Sequence, residues 1–232
     1  MIHGPSLGIG AVIASIVIIG IFFGFNGITN ESELVIEPTT KQIGPAKITM
    51  NTFYGNGSPI LGNSDAKVTL VEFGDYQCHF CNVFFHSTED KILQQYVETG
   101  KVKMIFKDYT IIGPDSINAS HGAHCAGEQG LFWEYHDVLY SNWTGENNGW
   151  ASSENLLKFA QEIELDTNQW SECMNNGTYS DIILASNNDA KTLELTGTPA
   201  FFIIGPDGQV SKLFGAQPFE TFENIIENEL ER

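Results

Sequence analysis

No lysine or arginine precedes Lys41 and no acid precedes Glu31, so the first thirty residues carry no charged side chain apart from the titratable His3. Basic residues stay scarce throughout: 11 Lys and Arg against 29 Asp and Glu leave a net charge of −18. That deficit excludes a nucleic-acid binder, which needs clustered Lys and Arg to neutralise phosphates. It also argues against docking on anionic lipid through surface charge. Internal repeats and low-complexity tracts are missing, and cysteine is limited to four residues. Apolar material is not lacking: 42% hydrophobic and 12% aromatic residues supply a real core and exclude global disorder.

The uncharged start is itself a feature. Residues 7–28 (LGIGAVIASIVIIGIFFGFNGI) contain one Asn and no charge, and a helix of that length covers a hydrocarbon core of about 30 Å. A cleaved secretory signal would need a basic leading region and a shorter apolar run. Residues 1–30 are therefore read as an N-terminal transmembrane helix that anchors the chain. Residues 31–62, with Pro38, Pro45 and Pro59 among many Gly, Asn, Ser and Thr, read as a linker holding at most a short strand at 47–52.

The folded part is expected over residues 63–230. Residues 68–73 (VTLVEF) have the pattern of a buried strand containing one acid, Glu72. Residues 81–97 repeat apolar side chains at near-helical spacing until Gly100, and 101–108 (KVKMIFKD) alternate as a second strand. This β-α-β unit implies a parallel crossover in an α/β sheet. From about 115 to 195 strand-like runs give way to successive helical patterns, with caps at Ser152 and at Asp166 with Gln169, so an all-helical insertion is expected there. Strand signals return at 200–204 and 209–214 around a GPDG turn, and an amphipathic helix carrying Phe219, Phe222, Ile225, Ile226 and Leu230 closes the chain.

Cys78 and Cys81 form a C-x-x-C placed between a buried strand and a helix start. There, unpaired N–H groups and the helix dipole stabilise a thiolate, so Cys78 is the expected attacking sulfur. Cys81, one turn further in, suits a resolving thiol. The alternatives are a structural zinc half-site, which lacks two closely spaced further ligands, or an inert pair. Cys125 and Cys173 each lie in a helical pattern: export would favour a structural disulfide, and otherwise they are two buried thiols. His121, His124 and His136 read as ordinary helix contacts. Trp133, Tyr135, Trp143 and Trp150 fit lobe core better than a peptide groove.

The ordered set of strand, Cys78-His79-Phe80-Cys81, helix, helical insertion and Thr198-Pro199 before a returning strand resembles the DsbA-like branch of the thioredoxin superfamily, over about residues 58–230. Residues 61–78 (LGNSDAKVTLVEFGDYQC) and 125–136 (CAGEQGLFWEYH) carry the likeness further. The resemblance implies a thioredoxin-like α/β fold interrupted by a helical lobe, and a thiol-disulfide oxidoreductase; neither a cofactor nor a metal is expected. It implies exported proteins with free thiols as substrates, and a separate membrane or soluble redox partner. Pro199 matches the family's cis-proline beside the sulfurs, Glu72 its buried acid and Lys107 that acid's cationic neighbour, although plain ion pairing would explain the last two equally well. One departure stands out: the family prototype carries Pro-His between its cysteines, whereas this chain has His79-Phe80. Disulfide chemistry belongs on the oxidising side of a membrane, so the acidic body is expected outside, on the extracytoplasmic side. Other readings are a reductase or isomerase, a noncatalytic peptide-binding (chaperone) module, and a zinc-binding domain.

Overall fold

The computed structural model describes residues 47–232. The anchor expected at residues 1–30 lies outside the described residues, among which no helix is long and apolar enough to cross a membrane.

Four strands form one sheet, ordered β2-β1-β3-β4. Strand β1 (Val68–Gly74) is buried along its whole length, as expected of a near-continuous apolar run covered on both faces. It pairs in parallel with β2 (Val102–Asp108) and antiparallel with β3 (Ala200–Ile204), which turns through Gly205–Gly208 into edge strand β4 (Val210–Phe214). Because strand side chains alternate between faces, β1 and β2 sort their residues into two cores. Val68, Leu70, Val102 and Met104 face the final helix (Phe219–Leu230), whose Phe222 and Ile226 are fully buried against them. Val71, Phe73 and Ile105 face the other way, toward Phe53, Ala190 and Leu193.

Within the segment read as a linker, the described residues 47–62 depart from expectation. Residues 47–52 do not form a strand; α1 (Met50–Tyr54) is a short helix whose start is capped by Thr52, its Oγ1 accepting the Thr49 N–H at 3.1 Å. Its Phe53 packs on Phe202 with ring centroids 5.1 Å apart, while Leu61 bridges to Met104 and Ser58 donates its N–H to the Phe106 carbonyl at 2.8 Å. Proline and glycine here shape a chain that hugs the sheet instead of a free tether.

After β1 the chain enters a long helical run: α2 (His79–Phe84), a π-helical turn (Phe85–Glu89), α3 (Asp90–Ile92) and a second π turn (Leu93–Val97). Phe84 anchors the run on the sheet between Phe201 and Phe222, at centroid distances of 4.4 and 5.4 Å. The lobe between β2 and β3 comprises α4 (Pro114–Gly127), α5 (Phe132–Ser141), α6 (Ser153–Glu162), α7 (Thr167–Asn176) and α8 (Ser180–Thr192), and α9 (Phe219–Leu230) ends the fold. Ser152 caps α6 through the Asn155 N–H, and Asp166 caps α7 through the N–H groups of Asn168 and Gln169. The second cap is not the reciprocal box expected: the Asp166 N–H goes to Gln129 Oε1, at 2.8 Å, tying α7 to the end of α4. Left-handed Gly177 (φ 60°) ends α7 without the steric cost a Cβ would carry.

Inside the lobe, Cys125 of α4 and Cys173 of α7 are joined by a disulfide, with Cα atoms 5.8 Å apart. Closing a loop of 48 residues removes denatured-state entropy worth up to about 4 kcal/mol. Replacing both residues by Ala is therefore expected to lower unfolding free energy by about 2–4 kcal/mol in a urea titration; an unchanged midpoint would show that the bond adds nothing to the lobe's packing.

Candidate active site

Cys78 is the N-cap of α2, in extended conformation, so its sulfur lies where the first helical N–H groups have no partners within the helix. It is 5% exposed, whereas Cys81, one turn later, is fully buried; both are free thiols. The Cys78 thiol lies 3.3 Å from the carbonyl oxygen of Thr198. Thr198 and Pro199 are joined by a cis peptide bond immediately before β3, beside the sulfurs. His79 and Phe80 are exposed at the mouth, and Phe80 is 58% exposed.

The electrostatics separate the two cysteines. A hydrogen bond from Cys81 pulls the Cys78 thiol down to about 6 against the opposing effect of burial, with the Thr198 side-chain hydroxyl and the N–H groups of Cys81 and Phe80 adding to the fall. Burial pushes Cys81 well up, and the hydrogen bond and charge of Cys78 and the charge of Glu72 push it further. One sulfur is thus poised as a thiolate near neutral pH while the other holds its proton.

Glu72 lies behind the pair, 1% exposed, and neither carboxylate oxygen has a hydrogen-bond partner among the described residues. Burial, followed by the charges of Glu89 and Cys78, raises its carboxyl well above the ordinary range. Its expected cationic neighbour, Lys107, does not face it. In the β1–β2 register Glu72 sits opposite Phe106 and Lys107 opposite Phe73, so strand alternation puts Lys107 on the other face of the sheet. There its ammonium meets Asp189 at 2.7 Å, the Gly55 carbonyl and the face of Phe73. Lys107 is a structural cation that ties α1 and α8 to β2.

Sequence reading missed the residues that hold the cysteines in place. Asp75, fully buried, accepts the N–H of Gln77 at 2.8 Å and those of Ile111 and Ile112 at 2.8 and 3.0 Å. Buried Gln77 reaches Ser116 at 3.1 Å, accepts the Asn147 N–H at 2.8 Å, and offers its own carbonyl to Trp143 Nε1 at 2.9 Å. Polar residues flanking Tyr76 at the exit of a buried strand were the available signal. The loop that carries Trp143 and Asn147 also brings Glu146 to the His79 N–H, at 3.1 Å. Of the four aromatic candidates, only Trp143 lies beside the redox pair, its ring 5.6 Å from His79; Tyr135 and Trp150 are core, and Trp133 donates to the Pro59 carbonyl.

Two histidines also exceed their expected role. His124 Nε2 meets buried Asp108 of β2 at 2.7 Å, and His136 Nδ1 meets the Tyr76 hydroxyl at 3.0 Å. Both pin the lobe to the sheet and the active-site loop.

The sequence model of a family described as Thioredoxin matches residues 55–228. Among curated proteins, the chain is 26% identical over 180 residues to a probable disulfide bond formation protein D of Bacillus anthracis, spanning 74% of this chain and 78% of that one. It is likewise 26% identical over 179 residues to disulfide bond formation protein D of Bacillus subtilis, spanning 75% and 78%. Among solved structures, oxidised BdbD from Bacillus subtilis superimposes with a TM-score of 0.68 at 25% identity, over 75% of this chain and 94% of that one. Alpha-DsbA1 of Wolbachia pipientis shares the fold with a TM-score of 0.67 at 22% identity, over 76% and 92%.

Two opposite pH dependences follow. Cys78, lowered to about 6 from an ordinary 9.0, stabilises the reduced protein fully above pH 9, and that stabilisation is lost as pH falls through 6. Iodoacetamide alkylation of Cys78 is expected to show a midpoint near 6, and a midpoint near the ordinary thiol value would remove the proposed polarisation. Glu72, raised above its ordinary 4.5, acts the other way: the folded state holds its proton longer than the unfolded chain, so stability falls as pH rises past 4.5. The variant Glu72→Gln is expected to flatten that decline in urea titrations across pH, with little effect below it.

Proposed function

Because this chain belongs to the thioredoxin family, as a DsbA-like thiol-disulfide oxidoreductase, we propose that it oxidises exported proteins through Cys78 and Cys81 while tethered to a membrane by its first thirty residues. The observation that carries the reading is the asymmetry of the pair: a slightly exposed Cys78 at a helix N-terminus, 3.3 Å from the Thr198 carbonyl, in front of a fully buried Cys81.

In the working cycle the pair starts as a disulfide. A substrate thiolate attacks Cys78 Sγ, the Cys78–Cys81 bond breaks, and Cys81 leaves and takes up a proton. Glu72, behind it and unpaired, is the group placed to supply that proton. A second substrate thiolate then attacks the substrate sulfur of the mixed disulfide; the substrate disulfide forms and Cys78 departs as a stabilised thiolate. Two electrons have passed from substrate to enzyme, and a separate membrane or soluble partner must remove them. Thr198 and Pro199 support this cycle by presenting backbone beside Cys78, where an extended substrate segment can pair with it. His79 and Phe80, exposed at the mouth, supply a second donor and an apolar contact.

The direction follows from stabilising the reduced form. Lowering Cys78 from 9.0 to about 6 favours the dithiol about tenfold at pH 7, equivalent to about 30 mV toward an oxidant. Residues 1–30, uncharged and holding a membrane-length apolar run, support the tether, and the lobe disulfide supports an oxidising, extracytoplasmic setting.

Cys78→Ser is expected to reduce oxidation of a thiol peptide to the uncatalysed background, and Cys81→Ser to accumulate a mixed disulfide through Cys78. Equilibration with glutathione buffers fixes the direction: a potential as low as that of cytosolic reductants would make the protein a reductase instead. Trapping through Cys81 in the Cys78→Ser variant would reverse the assignment of the nucleophile.

A further inference from the structure

Away from the redox pair, the described residues bring one set of metal-ligating side chains together: Glu89, His136 and Asp137, with one ligand atom of each within 4.8 Å of the others. Glu89 ends the first π-helical turn, and His136 and Asp137 are consecutive on α5 of the lobe. Three features distinguish the cluster from a solvated acidic patch. Glu89 is 2% exposed and His136 fully buried, yet among the described residues Glu89 Oε2 and His136 Nε2 have no hydrogen-bond partner; Nε2 approaches Oε1 only to 3.6 Å, too long for a hydrogen bond. Leaving such atoms unsatisfied in the interior costs their desolvation with no compensating hydrogen bond. Second, the imidazole is oriented for ligation. Its Nδ1 faces the Tyr76 hydroxyl at 3.0 Å, and rings of Tyr76, Phe106, Trp133 and Tyr140 surround it at centroid distances of 5.0–5.4 Å. With the Nδ1 proton donated to Tyr76, the Nε2 lone pair points at Glu89, the arrangement that metal-ligating histidines adopt. Third, Glu89 stands on a π turn, a local widening that recurs at functional sites because it re-aims a side chain.

We propose that Glu89, His136 and Asp137 bind a divalent transition-metal ion of the zinc class, in the seam between the active-site helical run and the lobe. A neutral imidazole and two carboxylates cancel the charge of the ion, so no net charge is left in the interior. Three protein ligands and a water complete a tetrahedral shell. Two carboxylates are too few for calcium or magnesium, which take six or more oxygens. Exposed Asp137 gives the ion its way in. Bound there, it cross-links the helical run that begins at Cys78 to α5, independently of thiol chemistry.

The test uses the tag-free full chain with Cys78 and Cys81 oxidised, so that no thiolate competes, titrated with zinc chloride by calorimetry and followed by thermal unfolding. One saturable equivalent and a raised Tm are expected. Glu89→Gln and Asp137→Asn should each weaken affinity by about tenfold or more, a loss typical even of groups that only orient a ligand. His86→Asn, which alters an exposed histidine on the same helical run, should leave affinity unchanged. Far-UV circular dichroism checks folding; should Glu89→Gln misfold, the surface change at Asp137 decides alone. Absence of a saturable equivalent in the unmodified chain overturns the proposal, as does unchanged affinity in the Asp137 variant.

Discussion

The site depends on one constraint: the first turn of α2 must aim its unpaired N–H groups at Cys78. A helix end left to itself frays, and the dipole it offers fades within a turn. Here the end is fixed from both sides. Asp75 gathers N–H groups from its own turn and from the segment after β2, and Gln77 links the same turn to α4 and to the loop after α5. The helical lobe is therefore more than an insertion that covers the sheet. It supplies the partners that make the strand-to-helix junction rigid, and a rigid junction is what turns a helix N-terminus into preorganised stabilisation of a thiolate.

That division of labour explains what the sequence disclosed. The redox pair, the Thr198-Pro199 loop, the parallel crossover and the helical lobe rest on local patterns: spacing, caps, period and turn residues. Their types were legible to within a few residues. What was not legible depends on pairing between distant segments. Glu72 and Lys107 look like partners because the family resemblance pairs a buried acid with a cationic neighbour; only the register, which places Glu72 opposite Phe106 and Phe73 opposite Lys107, reveals that they face opposite cores. The helix α1 was hidden for a related reason: its Met50–Tyr54 segment is too short to display a period, and it is held by Phe53 packing on β3 and by Thr52 accepting the Thr49 N–H. The π turns have no local signature at all, since residues 81–97 carry an ordinary helical spacing.

Displacing Lys107 from Glu72 changes the chemistry behind the sulfurs. A nearby ammonium would hold the carboxylate ionised; without one, burial and the neighbouring negative charges decide, and all of them favour the proton. One of those charges is the Cys78 thiolate itself. Glu72 and Cys78 therefore share a single negative charge more readily than two. In the disulfide state Cys78 carries no charge, and that contribution to the proton affinity of Glu72 disappears. Once Glu72 has given its proton to the leaving Cys81 and taken up another, the Cys78 thiolate of the reduced pair holds that new proton more tightly. The coupling needs no side-chain movement, because the separation of the two groups is set by β1 and by the turn that Asp75 holds.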